Sequence, residues 1–197
     1  QVISALDKID LKSGSKYIYI HLIPPHSPYD PPEIYRIFMD KFPGAVEATS
    51  QNLGKIKQRE IELNDKKLEY IVSLYDANIL YADSIAERIY SYLKQQEVLK
   101  KSILIFTSDH GEAFNQHGFI THGPMVYDEA IHIPFVVRFP EGRPATAERV
   151  GSAVSSNGAK NSTLDSSRAR AELVARIMMK LVEPDEGLVV GPGAAHR

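Results

Sequence analysis

The stretch IFTSDHGEAFNQHGFITHG, residues 105–123, places three histidines and two carboxylates directly after an apolar run. That run, SILIFTS at residues 102–108, has the length and composition of a strand buried on both faces. Side chains alternate faces along a strand, so Asp109 and His110 reach one point only if the strand has ended before them, and Gly111 permits the turn. Because ligand clefts in open α/β sheets form at strand ends, this stretch predicts a functional cleft.

The segments around this stretch predict an α/β fold. KYIYIHLI, residues 16–23, is typical of a short buried strand, and the proline-rich PPHSPYDPP at 24–32 follows it as a stiff loop. Apolar residues recur with a period close to 3.6 from about residue 64 to 99, which predicts an amphipathic helix. HIPFVVRFP, residues 132–140, predicts a third strand. A helix followed by a buried strand predicts a layered, partly parallel sheet flanked by helices.

The chain changes character after about residue 150. Residues 151–165 are mostly small and polar, which predicts a linker, and a helix is expected over 166–182 with Asp165 as its N-cap. The last ten residues, LVVGPGAAHR at 188–197, are expected to lack regular structure. We therefore predict one α/β unit over residues 1–150 and a linker with a helical tail of unclear origin over 151–197.

Composition excludes several classes of protein. With 23 Lys and Arg against 25 Asp and Glu, the formal charge is −2, and the basic residues are scattered, so no nucleic-acid partner is predicted. No apolar run approaches the roughly 20 residues that span a bilayer, and no export signal is recognisable. The absence of cysteine excludes disulfides, thiolate metal sites and a cysteine nucleophile. The abrupt entry into a strand predicts that the chain is a piece of a longer protein.

Asp109 and His110 have the chemistry of a metal site. A carboxylate with an imidazole suits Mn²⁺ or Zn²⁺, whereas Ca²⁺ prefers an all-oxygen shell. Two ligands are too few for a complete site, so the remaining ligands are expected from elsewhere in the fold or from the substrate.

The other polar residues of the stretch have several readings. His122 lies in a second Gly-flanked turn, where it could bind an anionic oxygen or protonate a leaving group. For Glu112 a helix-capping role is favoured over a functional one. His21 and His132 are predicted to be hydrogen-bonded structural residues, and His117 is either functional or merely solvated.

Three segments together resemble the sulfatase family of the alkaline-phosphatase-like superfamily. They are HLIPPHSPYDPPE at 21–33, YDANILYADSIAERIYSYLKQQ at 75–96, and SILIFTSDHGEAFNQHGFITHGPMVYDEAIHIPFVVRFP at 102–140. Their order and spacing agree with the family over roughly residues 16–140. The resemblance implies an alkaline-phosphatase-like fold, in which residues 1–150 are the C-terminal portion of a sulfatase-like catalytic domain.

The resemblance also implies roles for four residues. Asp109 and His110 become ligands of one divalent metal ion, Ca²⁺ by family analogy. His26 and His122 become catalytic residues that contact the sulfate or phosphate group of the substrate, which is a small anionic ester.

The activity implied is that of a sulfuric ester hydrolase, and two alternatives stay open. A phosphoethanolamine or phosphoryl transferase, or a phosphodiesterase, of the same superfamily shares the Asp–His motif and the later HG turn. A non-catalytic fragment that binds an anion or a partner is the other alternative.

The family's nucleophile stands in an N-terminal C/S-x-P-x-R element, and these 197 residues contain neither a cysteine nor that serine motif. The chain alone is therefore expected to be inactive and to self-associate through exposed sheet edges. Many relatives act in the periplasm or outside the cell, and the location of this chain is left unassigned.

Overall fold

The computed structural model describes residues 1–141 and the backbone of residues 188–190. Its helices and strands follow in chain order: α1 (Val2–Leu6), α2 (Ser50–Lys57), α3 (Asp65–Gln95), β1 (Leu104–Thr107), β2 (Ala113–Phe114), β3 (Ile120–Thr121), α4 (Asp128–Ile131), β4 (Phe135–Arg138) and β5 (Leu188–Val190). Single 3₁₀ turns occupy Glu33–Tyr35 and Leu99–Lys101. None of the described helices is long and apolar enough to cross a bilayer.

The long helix α3 confirms the periodicity of the sequence. Its N-cap is Asn64, whose side-chain oxygen accepts a hydrogen bond of 2.9 Å from the Lys67 N–H and so satisfies one of the free donors of the first turn. Its first half buries a continuous set of residues, including Tyr70, Ile71 and Leu74. This part of α3 belongs to the hydrophobic core.

The core joins the proline-rich loop to the stretch that follows β1. Tyr29, from the loop, is almost fully buried. Its ring lies 5.2 Å from that of Tyr75 on α3 and 6.0 Å from that of Phe114 on β2. Aromatic contacts of this kind stabilise by about 0.5–1.5 kcal/mol each beyond area burial. The loop that carries His26 is therefore held against the hairpin that carries His122.

The described strands form two antiparallel sheets. β4 pairs with β1 on one side and β5 on the other, and β2 pairs with β3. The predicted strands at 102–108 and 132–140 are thus present as β1 and β4. The predicted parallel pairing is not found within residues 1–141 and 188–190.

Two predictions about strand burial were wrong. β1 alternates between half-buried and exposed residues instead of being buried on both faces, and Ile103 and Ile105 are 57% and 56% exposed. Residues 16–23 form no strand, and Tyr17, Tyr19 and Ile23 are exposed. A strand needs a neighbour for its backbone hydrogen bonds, and within the described part of the chain none pairs with this segment.

The C-terminal predictions have different outcomes. The linker over 151–165 and the helix over 166–182 lie outside the described residues. The prediction of irregular structure over 188–197 was wrong for Leu188–Val190, which form β5. Neither the division of the chain at residue 150 nor self-association is tested by the fold, and both stay predictions.

Asp83 is a half-buried carboxyl on α3. Its Oδ1 atom is buried and accepts no hydrogen bond. Burial, and then the negative charge of Glu87, raises the pKa of Asp83 from 3.8 to about 6. The folded chain therefore holds a proton that the unfolded chain releases, so the stability that Asp83 contributes at low pH is lost as the pH rises from about 4 through about 6.

We expect Asp83→Asn to raise the free energy of unfolding above about pH 6, with the gain shrinking as the pH falls toward 4. The full shift of the Asp83 pKa corresponds to about 3 kcal/mol, and solvent screening of this half-exposed group reduces the gain to about 1 kcal/mol. Urea unfolding across this pH range measures it, with Glu69→Gln on an exposed part of α3 as the charge-matched control. A gain independent of pH would contradict the assignment.

Candidate functional site

The turn after β1 is fixed by a close backbone contact with α4. The Gly111 N–H donates a 2.7 Å hydrogen bond to the Ala130 carbonyl oxygen. A Cβ on residue 111 would overlap the carbonyl oxygen of Glu129, so only glycine allows the two backbones to approach this closely. The contact sets where the chain turns after Asp109 and His110.

Asp109 and His110 lie side by side in this turn. One carboxylate oxygen of Asp109 is 3.8 Å from His110 Nε2, and the two side chains are 81% and 35% exposed. His110 Nδ1 donates a 2.7 Å hydrogen bond to the Gly111 carbonyl, which can only accept, so in the neutral ring the lone pair is on Nε2. The nitrogen beside the carboxylate is therefore the one available to a ligand.

The pKa of Asp109 is held below its ordinary value. Desolvation is the largest single effect and raises the pKa, but hydrogen bonds from the backbone N–H groups of Asp109 and His110 and the charges of His110 and His21 together outweigh it. Asp109 is thus an exposed carboxylate whose ionised form is favoured by its surroundings.

The pair fits part of a divalent metal site. Two donors that are each about 2.1 Å from a tetrahedral cation are about 3.4 Å apart, close to the separation seen here. The hydrogen bond at His110 Nδ1 orients the ring as a metal ligand requires. Within residues 1–141, however, no group of three or more His, Asp or Glu side chains is arranged to hold a metal, so the pair by itself could offer two ligands at most.

His26 projects from the proline-rich loop between two cis peptide bonds, those preceding Pro25 and Pro28. Its backbone N–H donates to the Ile23 carbonyl at 2.9 Å, and its ring Nδ1 donates to the Ser27 carbonyl at 2.6 Å. His26 Nε2 is therefore the ring nitrogen left for a ligand. The His26 ring lies 5.3 Å from that of His122.

His122 stands at the open end of the β2–β3 hairpin. β2 and β3 pair with Ala113 opposite Thr121, so Glu112 and His122 flank the last pair of the ladder. His122 Nδ1 lies 3.2 Å from a carboxylate oxygen of Glu112, whose side chain is only 4% exposed. The prediction that Glu112 caps a helix was wrong, because this segment is a strand.

The three imidazoles form a cluster around His122. The His122 ring lies 3.9 Å from the His110 ring at an interplanar angle of 31°, and 5.3 Å from the His26 ring. Thr121, just before His122, has a φ of 63°, which is unusual and costly for a β-branched residue. The chain therefore turns sharply at the end of β3. The geometry brings together all four residues that the sequence singled out.

The remaining histidines differ from expectation. His21 is exposed and lies in no strand, so its predicted structural role was wrong; it makes only a minor contribution to the lowered pKa of Asp109. His132 Nδ1 is 3.7 Å from Asp128, and its Nε2 is buried without a hydrogen-bond partner, so a hydrogen-bonded role at that nitrogen is not found.

His117 is not merely solvated. Its Nδ1 lies 2.7 Å from a carboxylate oxygen of Glu129, and its ring stacks on that of Tyr127 with centroids 3.9 Å apart.

Comparison with known proteins places this geometry in a family context. The chain is 32% identical over 130 residues to an endo-4-O-sulfatase of Bacteroides thetaiotaomicron, which covers 63% of the chain and 23% of that relative. It is 25% identical over 134 residues to phosphoethanolamine transferase EptA of Salmonella typhimurium, covering 66% and 22%. An arylsulfatase of Clostridium perfringens is 27% identical over 147 residues, covering 69% and 30%.

The chain thus spans less than a third of the length of these curated relatives. No solved structure matches it significantly. A model of the family described as Sulfatase matches residues 2–164, which is most of the sequence. The chain that positions these three imidazoles and their neighbouring carboxylate therefore belongs to the sulfatase family.

Proposed function

We propose that this chain forms part of a metal-dependent site that hydrolyses sulfate esters. Asp109 and His110 are its metal ligands, and His26 and His122 contact the anionic group. The observation that carries the proposal is the cluster of three imidazoles beside an ionised carboxylate, assembled from the proline-rich loop, the turn after β1 and the β2–β3 hairpin.

The Nδ1 hydrogen bonds support this assignment. In His26, His110 and His122, Nδ1 is engaged by an oxygen of the protein, so Nε2 remains for an outside ligand. Rings fixed in this way lose little freedom when they bind, which favours a preorganised site over a flexible one. The metal-ligand pair and the anion-binding pair are adjacent, since the His122 ring lies 3.9 Å from that of His110.

One divalent ion would be held by Asp109 and His110, with further ligands from outside the described residues. Ca²⁺ follows from family analogy, and Mn²⁺ or Zn²⁺ suits the imidazole better. When bound, such an ion draws electrons from the ester oxygens and stabilises negative charge.

The protein's own groups act on the ester. A protonated His26 donates from Nε2 to an oxygen of the sulfate and offsets the charge that builds in the transition state. His122 binds a neighbouring oxygen and is placed to give its Nε2 proton to the leaving oxygen. Neither residue is a nucleophile for this reaction, and the chain has no cysteine. We propose that the nucleophile and the parallel part of the sheet come from other segments.

A second candidate is transfer or hydrolysis of phosphate esters by the same residues. It is supported by the similarity to phosphoethanolamine transferase EptA, which spans about as much of the chain as the sulfatase matches. Calorimetric competition between sulfate, phosphate and phosphoethanolamine on the Mn²⁺-loaded chain separates the two. Preference for phosphoethanolamine over sulfate would favour the transferase.

Removal of a metal ligand should weaken metal binding. We expect Asp109→Ala and His110→Ala each to weaken Mn²⁺ binding at least about tenfold, because each removes one of two donors. Isothermal titration measures the change. Asp128→Ala is the matched control, because Asp128 is also exposed and lies 3.7 Å from a histidine nitrogen, that of His132. Equal losses in Asp109→Ala and Asp128→Ala would contradict the metal site.

Loss of either anion-binding imidazole should weaken sulfate binding. His26→Ala and His122→Ala are each expected to raise the dissociation constant about tenfold or more, since a hydrogen bond to a charged group contributes about 1.5–3 kcal/mol. Titration of the Mn²⁺-loaded chain with sulfate measures it, and His117→Ala is the control. Unchanged affinity in both variants would rule out these contacts.

The chain by itself should not turn over an aryl sulfate, because the reaction needs a nucleophile that its motifs do not supply. A chromogenic aryl sulfate assay with added Mn²⁺ or Ca²⁺ tests this. Turnover by the wild-type chain that is lost in His122→Ala would contradict the prediction. Sulfate binding without turnover is the expected result. The alternative of a non-catalytic, anion-binding fragment predicts the same result for the isolated chain.

A further inference from the structure

Two buried glutamates each hold a histidine in this region. Glu112 contacts His122 Nδ1, and Glu129 contacts His117 Nδ1, with the two carboxylate side chains only 4% and 6% exposed. The two pairs are alike in chemistry and burial, but only His122 belongs to the cluster of three imidazoles. The Glu129–His117 pair therefore serves as a control for Glu112, because it has the same chemistry but lies outside the group of His26, His110 and His122.

The burial of Glu112 requires a partner. A carboxylate removed from water costs several kcal/mol unless it is paired and hydrogen-bonded. The buried phenol of Tyr29 also lies close to this carboxylate, because burial, the charge of Glu112 and a side-chain hydrogen-bonding interaction with Glu112 together raise the pKa of Tyr29. The His122 imidazole is a second neighbour of the carboxylate, with Nδ1 3.2 Å from one of its oxygens.

The hairpin register holds this pair in place. Residues 112 and 122 lie just beyond the paired residues Ala113 and Thr121, so the backbone ladder fixes their separation. Glu112 also follows Gly111, whose backbone is locked against α4. The carboxylate is therefore attached to a rigid part of the fold, while the His122 side chain is 33% exposed and faces two other rings.

We propose that Glu112 is a positioning residue that holds His122 Nδ1 in a hydrogen bond. The other ring nitrogen, Nε2, is then the one that binds the anionic group. A carboxylate only accepts hydrogen bonds, so it fixes the ring with a proton on Nδ1, and this state is compatible with a second N–H donor at Nε2. Without Glu112 the ring can flip or exchange tautomers beside His110. The proposal rests on the proposed anion-binding function of His122.

The test compares two near-isosteric variants of the 197-residue chain. Glu112→Gln keeps an acceptor oxygen, whereas Glu112→Met fills the same space without one. Long-range ¹H–¹⁵N spectra at a single pH report which His122 nitrogen carries the proton, and titration with inorganic sulfate after Mn²⁺ loading reports binding. We expect Glu112→Met to lose the fixed Nδ1 proton and to bind sulfate about tenfold more weakly, while Glu112→Gln stays within about threefold of wild type.

Glu129→Met is the matched control. It should alter the His117 signals and leave both the His122 signals and sulfate affinity unchanged. Wild-type signals and wild-type affinity in Glu112→Met would overturn the proposal, because a residue that merely fills space would behave in this way. A wild-type spectrum with His122 protonated only at Nε2 would overturn it without any variant.

The spectra also separate this proposal from the proposed function. If the wild-type chain binds no sulfate, the anion-binding function fails, and the His122 spectra of Glu112→Met still decide whether Glu112 fixes the ring. If sulfate binds and His122→Ala weakens binding but Glu112→Met does not, only the positioning role is wrong.

Discussion

Hydrogen bonds at Nδ1 fix the orientation of every imidazole in the candidate site. His26 and His110 each donate to the carbonyl of the following residue, and His122 contacts the buried carboxylate of Glu112. Because a carbonyl oxygen accepts and cannot donate, the proton positions of the first two rings follow from the structure without further assumption. Three Nε2 atoms are left for outside ligands, and the site's chemistry depends on this constraint.

The fold keeps these rings together by packing at two points beside the site. Tyr29 buries its ring against Tyr75 and Phe114, which holds the proline-rich loop against the hairpin. Gly111 packs its backbone against α4, which holds the turn after β1. The site is thus supported by an aromatic cluster and by a backbone contact that any other residue would prevent. Neither contact involves the residues assigned to metal or anion binding.

Local patterns in the sequence predicted the elements that depend on local structure. The 3.6-residue period of apolar residues predicted α3. At its start, the side chain of the N-cap Asn64 accepts a backbone hydrogen bond from Lys67. Asp109 and His110 are consecutive in the chain, so their proximity does not depend on contacts between distant segments. The proximity of His26 and His122 followed from the family resemblance, because 96 positions of chain separate them and no local rule joins them.

What the sequence missed depends on contacts between distant segments. Residues 16–23 have strand composition, but a strand also needs a neighbour, and the described fold provides none. The sequence favours a helix cap for Glu112, because its contact with His122 exists only when the hairpin brings the two residues together. The sequence predicts a structural role for His21, whereas its small effect on Asp109 depends on how the loop folds. Amino-acid composition does not show whether a strand has a neighbour or which distant side chains come into contact.

The most direct test of the convergent site is a crystal structure after soaking with Mn²⁺ and sulfate. The account predicts an anomalous peak about 2.2 Å from both a carboxylate oxygen of Asp109 and His110 Nε2, with sulfate oxygens within hydrogen-bonding distance of Nε2 of His26 and His122. A metal bound through His110 Nδ1, or a sulfate bound away from both histidines, would contradict it.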